Sequence, residues 1–173
     1  MSISKNEIRQ VSALSRKKSR EETGLFVVEG EKLVAEALAS DFEVVKVYRK
    51  DEIGEEAMAR LSGLSSPSPV MAVVRQKTVQ SASLPVKGLF LALDGIRDPG
   101  NLGTILRIAD WFGLDGVYAS PDTVELYNPK VVQATMGAIF RVPFFVVGIP
   151  GFCRDIVSGG GHVYGTFLDG ENL

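Results

Sequence analysis

Residues 89–113, LFLALDGIRDPGNLGTILRIADWFG, constrain the fold more than any other stretch, because an apolar run, a glycine-rich turn and an amphipathic pattern follow one another without a gap. Leu89 to Leu93 is continuously apolar, as suits a strand covered on both faces in a parallel sheet. Asp94 to Gly103 then holds three glycines and a proline. Such a turn exposes backbone N–H groups just beyond the carboxyl end of a strand, where open α/β sheets place their ligands. From Leu102 the pattern is helical: Leu102, Ile105, Leu106, Ala109 and Phe112 form one stripe, and Gly113 sits where a C-terminal cap is expected. At roughly 100° per residue Arg107 projects away from that stripe. It reads either as a solvated arginine or, one turn beyond a glycine loop, as a functional one.

The rest of the second half repeats the alternation. GVYAS is a short strand, Asn128 and Pro129 supply an N-cap and first turn for a helix to Phe140, VPFFVV is a strand, GFCRDIVS a helix and HVYGTFL a further strand. The result is a β-α-β-α-β-α-β order and a parallel sheet. Ahead of it, Ser4 and Glu7 make a capping box for a helix carrying Ile8, Val11 and Leu14. Strands at Phe26–Val28, EVVKVYR and VMAVVRQ alternate with helices at EKLVAEALAS and EEAMARLSGL, which predicts a small α/β layer of its own. The polar, proline-bearing segment 78–88 marks a linker, so the expected domains are 1–77 and 89–173.

The net charge of -2 does not suggest a nucleic-acid binder, yet the charge is uneven. Residues 1–20 hold six bases against one acid, whereas residues 88–173 hold five bases and nine acids. If a nucleic acid is bound, the cluster with Arg16, Lys17, Lys18 and Arg20 is the electrostatic contact, although such clusters are also ordinary solvated surface. The only histidine, His162, and the only cysteine, Cys153, make a zinc site and an internal disulfide untenable, and no metal is expected. No G-x-G-x-x-G or G-K-[ST] fingerprint is complete. Asp94, Asp98 and Asp110 are possible acid/base groups, but Asp94 and Asp98 more simply support the turn. The apolar runs are too short for a membrane helix and the N-terminus has no apolar signal region, so a soluble cytoplasmic protein is the economical reading.

DGIRDPGNLGTILRIADWFG resembles the first signature of the SpoU (TrmH-like) RNA ribose 2′-O-methyltransferases, with Asn101, Gly103 and Arg107 at the matching positions. NPKVVQATMGAIFRVPF, residues 128–144, resembles the second, with Thr135 where a serine is frequent; its hydroxyl reads equally as a helix residue bonding its own turn. KKSREETGLFVVEGEKLVAEAL and SSPSPVMAVV resemble the substrate-binding domain, similar to certain RNA-binding ribosomal proteins, that often precedes this methyltransferase domain.

The resemblance implies an α/β fold with a mostly parallel, trefoil-knotted sheet, a rare exception to unknotted chains, preceded by a small ribosomal-protein-like α/β domain. It implies methyl transfer from S-adenosylmethionine to a ribose 2′-hydroxyl, with ribosomal RNA favoured over transfer RNA, and a homodimer. Arg107 and Asn101 are the implied catalytic residues. Arg107 suits a bidentate anchor better than a base, since a guanidinium carries no acceptor, and the base stays open. The cofactor pocket would begin at Thr166, Phe167 and Leu168. A third signature is expected beyond Leu173, so the knot is expected to be incomplete within these residues, and their binding of S-adenosylmethionine weak. A non-catalytic RNA-binding module and a small-ligand nucleotide domain are the other readings.

Overall fold

The computed structural model describes residues 3–77, 85 and 87–166. Ser4 caps α1 (Lys5–Ala13), its Oγ accepting from the Glu7 N–H at 3.1 Å. Only half of the expected capping box forms, because the Glu7 carboxylate turns instead to Lys46 and the Tyr48 hydroxyl. The basic cluster opens α2 (Lys17–Thr23), which Gly24 ends in the left-handed conformation, φ 65°. There follow β1 (Leu25–Glu29), α3 (Glu31–Ala39), β2 (Val44–Arg49), α4 (Lys50–Ile53), α5 (Glu55–Leu61) and β3 (Val70–Arg75).

These strands form an antiparallel sheet in the order β1-β3-β2, with an irregularity in register between Val44 and Lys46. The central strand β3 is apolar at five successive positions because it is covered on both faces. Met71 and Val73 pack with Ile8, Val11, Met58 and Leu61 of α1 and α5. Val70, Ala72 and Val74 pack on the other face with Leu33, Val34 and Ala37 of α3.

That second face is completed by Tyr127, Val132, Ile139 and Phe140 from the other half of the chain. Phe26 lies 4.6 Å from Tyr127 between ring centres, and Phe42 lies 5.2 Å from Phe140. The N-terminal α/β layer therefore shares a core with the C-terminal half, where the sequence predicts a layer of its own.

The second sheet holds β4 (Phe90–Leu93), β5 (Gly116–Ala119) and β6 (Phe144–Val146), all parallel and in that order. They alternate with α6 (Pro99–Trp111), α7 (Pro129–Thr135), a 3-10 turn (Ala138–Phe140) and α8 (Ile149–Ser158). One face of β5 contributes Val117 and Ala119 to a cluster with Leu102, Leu106, Ala109 and Val131 of α6 and α7. The other carries Tyr118, stacked between Phe145 and Phe152 at 4.8 and 4.2 Å.

The second half departs from the sequence reading in four places. Among the described residues Leu89–Leu93 is not a doubly covered strand: β4 lies at the edge of the three-stranded sheet, Leu89 is 66% exposed, and of these strands only the central β5 is buried along its length. The stripe of α6 loses its last member, since Phe112 follows the helix and is exposed. The helix from Asn128 stops at Thr135, where Met136 takes φ 51° and Gly137 φ 102°, and resumes only as the 3-10 turn. The strand expected at HVYGTFL is not formed over His162–Thr166, and the rest of it lies outside the described residues.

Candidate functional site

The carboxyl ends of β4 and β5 lead into two loops that are stitched together. The Gly95 N–H, at φ 67°, donates to Ser120 Oγ at 2.8 Å, the Ser120 N–H donates to the Leu93 carbonyl at 2.9 Å, and the Val124 N–H to the Ile96 carbonyl at 2.8 Å. Hydrogen bonding to Ser120, and secondarily the nearby Arg97, holds the Asp122 carboxyl below its usual range.

The glycine-rich stretch is shorter as a loop than the sequence suggests. Asp98 is the N-cap, its Oδ1 accepting from the Asn101 N–H at 2.7 Å, and Pro99 begins the helix, so Gly100 and Gly103 lie inside α6. The support expected from Asp98 is present. Asp94 is exposed and makes no such bond among the described residues.

Gly103 is a contact glycine. A Cβ there would stand 2.4 Å from the Cβ of Ala134, so the absence of a side chain lets α6 and α7, the helices of the two signatures, meet at van der Waals distance. A second tie is Arg141, whose Nε and Nη2 donate to Asp110 at 2.9 and 2.8 Å and whose Nη1 reaches Glu36 on α3. These two carboxylates, Asp110 first, push the Arg141 guanidinium further above its already high range. Asp110 is thus a structural carboxylate, not an acid/base group. The sequence reading missed the triad; its one available signal was an acid in the first signature and a base in the second, and Glu36 carried none.

With α6 held from behind, its outer face presents Asn101, Thr104, Arg107, Ile108 and Trp111, all exposed. Arg107 has no ion-pair or hydrogen-bond partner among the described residues. Asn101 and Arg107, six residues apart, stand roughly 120° apart around the helix and about 9 Å along it, so they do not touch. Such a site can offer a fixed fork of N–H donors to an anion or hydroxyl.

The remaining candidates separate. Thr166 is exposed and in no strand, while Phe167 and Leu168 lie outside the described residues. Thr135 is buried and bonds its own turn, Oγ1 to the Val132 carbonyl at 2.7 Å, which accounts for its hydroxyl without a ligand. Arg16, Lys17 and Lys18 are exposed, the two lysines facing Glu21 and Glu22 at 3.6 and 3.8 Å.

Arg20 differs from the expected phosphate contact. It is 2% exposed and donates to the Leu14 and Ser15 carbonyls at 2.7 and 2.9 Å and to Glu125 in the second half. Burial, partly offset by Glu21, pulls its guanidinium below the usual range, and Nε has no partner among the described residues. This arginine joins the two halves. The cleft beside it, about 390 Å³, lies at the ends of β5 and β6 and is walled by Ala119, Ser120, Phe144 and Val146.

Residues 88–173 match the SpoU rRNA methylase family, and residues 5–83 match the MRM3-like substrate binding domain. The chain is 30% identical over 182 residues to the 23S rRNA (guanosine(2553)-2′-O)-methyltransferase RlmP of Bacillus subtilis, covering 96% of this chain and 72% of that protein. It is 32% identical over 151 residues to human mitochondrial rRNA methyltransferase 3, of which it spans 35%. Among solved structures, the AdoMet-bound rRNA methyltransferase of Sinorhizobium meliloti superposes with a TM-score of 0.76 at 26% identity, over 92% of this chain and 68% of that one.

Proposed function

Because this chain belongs to the SpoU rRNA methylase family, we propose that it carries out, as part of its complete protein, methyl transfer from S-adenosylmethionine to a ribose 2′-hydroxyl of ribosomal RNA. The observation that carries the reading in the structure is Arg107, a guanidinium without a partner among the described residues, on a helix whose other face is fixed by Gly103 and Leu106. Residues 1–77 serve the RNA substrate and residues 89–173 the transfer, with 78–88 between them. A homodimer and a cytoplasmic location accompany the proposal by analogy with the family; among the described residues no helix is long and apolar enough to cross a membrane.

When bound, S-adenosylmethionine supplies a methyl group made electrophilic by the sulfonium. The described residues fit it as one wall: Leu126, Phe144 and Val146 offer an apolar surface beside Ser120, the kind of lining that takes an adenine ring. Thr166, Phe167 and Leu168 are proposed to extend that wall.

The chain's own contribution is alignment. Arg107 anchors the target phosphate or ribose and lowers the cost of charge at the 2′-oxygen; having no acceptor, it does not take the proton. Asn101, at the capped end of the same helix, positions the nucleotide about 9 Å away along the axis. Incubating the complete protein with 23S rRNA and labelled S-adenosylmethionine tests the reading. The label should appear in a dinucleotide that resists alkaline hydrolysis, because a methylated 2′-oxygen cannot attack its own phosphate. Label on a base would overturn it.

A further inference from the structure

The sequence gathers the cations expected to meet RNA into one cluster, but the fold redistributes them. Lys5, Arg9 and Arg16 project from α1 and its end, and Arg60 from α5, and the four line a single groove of about 530 Å³. The Ser12 hydroxyl donates to the Arg60 carbonyl at 2.8 Å, so the two helices hold their cations at a fixed spacing. A second groove, about 760 Å³, shares Ser12 and Arg60 with the first and continues past Ser62 to Lys130 and Gln133 on α7. The two make one trough that starts in the N-terminal half and ends on the helix against which α6 packs through Gly103.

Five cations therefore line the trough, each exposed and none in an ion pair among the described residues. Its one carboxylate is already occupied: Glu29 turns inward and accepts from Ser62 Oγ, the Gly63 N–H and the Ser68 N–H. By contrast Lys17 and Lys18 each face a glutamate one turn on, and Arg20 is buried. Unpaired cations cost little while the surface is solvated and gain most from a polyanion, whose phosphates release counterions on binding. The floor is aliphatic, with Val11, Leu14, Leu61 and Met71, while the cations and the Ser12, Ser15 and Ser62 hydroxyls are its polar groups; with no aromatic ring in the walls, the polar groups suit contact to phosphate and sugar, not stacking with bases.

We infer that the trough of Lys5, Arg9, Arg16, Arg60 and Lys130 is the track that holds the RNA sugar–phosphate backbone and leads it from the N-terminal half to the signature helices. This rests on the RNA reading above and names the surface that serves it. The contacts are independent of sequence, so the trough sets affinity and register while base choice lies elsewhere.

The test is anisotropy titration of the whole chain with a fluorescent 20-nucleotide oligouridylate between 50 and 300 mM salt. Three variants are compared with the parent: Lys5, Arg9, Arg16 and Arg60 all to Gln; Lys17 and Lys18 to Gln; and Arg9, Arg16 and Arg60 all to Lys. The first should bind on the order of a hundredfold more weakly at 0.15 M salt, with a salt slope shallower by about 0.7 per contact, roughly 2 to 3 in all. The second should keep the parent's slope, and the third, which preserves charge, should restore it. All the altered side chains are exposed, so melting temperatures should coincide. Parent-like binding by the first variant, or a slope lost only in the second, overturns the trough while leaving methyl transfer untouched. A parent chain that ignores oligouridylate yet binds phosphatidylserine vesicles overturns the RNA reading itself, and the trough with it.

Discussion

The junction between the two halves and the outer face of α6 are built from the same kind of side chain used in opposite ways. At the junction, Arg20 is committed to two carbonyls and Glu125, and Arg141 to Asp110 and Glu36. On α6, Arg107 stands in solvent with no partner among the described residues. A guanidinium with several donors is costly to bury unless those donors are used, so a structural arginine announces itself by its acceptors. An arginine on a rigid helix with none is available to a ligand. The contrast supports the proposal that Arg107, of the three, is the one that meets substrate, although all three lie in segments that the sequence marks as interesting.

The largest effect that would sharpen this contrast is on rate. Arg107→Ala should lower methyl transfer by up to about a thousandfold, on the order of 4 kcal/mol, with an unchanged melting temperature. Normal transfer, or a variant that unfolds, would break the distinction. Arg20→Ala should do the reverse in thermal unfolding. It leaves the half-buried Glu125 without its partner and two carbonyls without donors, and should destabilise by about 3 kcal/mol, the lower end for a broken buried pair because Glu125 is partly solvated. Gly103→Ala forces a Cβ into Ala134 and should cost roughly 1–3 kcal/mol by overpacking; a second change, Ala134→Gly, should recover part of it in the same denaturation experiment.

Arg141→Met should cost only about 1 kcal/mol, since that guanidinium is nearly half exposed and its ion pairs are screened. The smallest effect concerns pH. Glu7 is held below the usual carboxylate range, first by the Lys46 hydrogen bond and then by Tyr48. A carboxyl depressed in the folded state contributes stability that is present above its unfolded value, 4.5, and lost as pH falls through the folded one. Melting temperatures measured from pH 6 to pH 3 should therefore fall less steeply in Glu7→Gln than in the parent chain.

Much of this was legible from the residues. Alternation of strand and helix located the six strands and most of the helices but not α2 or α4, since periods of 2 and 3.6 report which face meets the core and these two are short. Arg107 was placed outward by helical geometry alone. What stayed hidden depends on partners distant in sequence. Nothing local to Arg20 distinguishes it from Lys17 or Lys18; its burial depends on Glu125, which lies 105 residues on. Gly103 read as a loop glycine because Pro99 at the first helical position is silent until Asp98 is seen to cap it. The end of α7 at Thr135 was missed for a related reason: Met136 adopts a left-handed conformation that few methionines take, and Gly137 after it passes close to Glu36. The edge position of β4 is a property of the sheet and not of any apolar run.

The shared apolar face of the first sheet also sets a timetable. During synthesis β3 is complete at Arg75, but the residues that cover Phe26, Val28 and Val74, ending with Phe140, emerge roughly 65 residues later. At about 5–20 residues per second the nascent sheet waits on the order of 3 to 13 seconds with one apolar side covered only in part, by α3. Over that interval the sheet presents apolar surface of the kind that favours association, and a chain ended between the two signatures should keep that surface exposed.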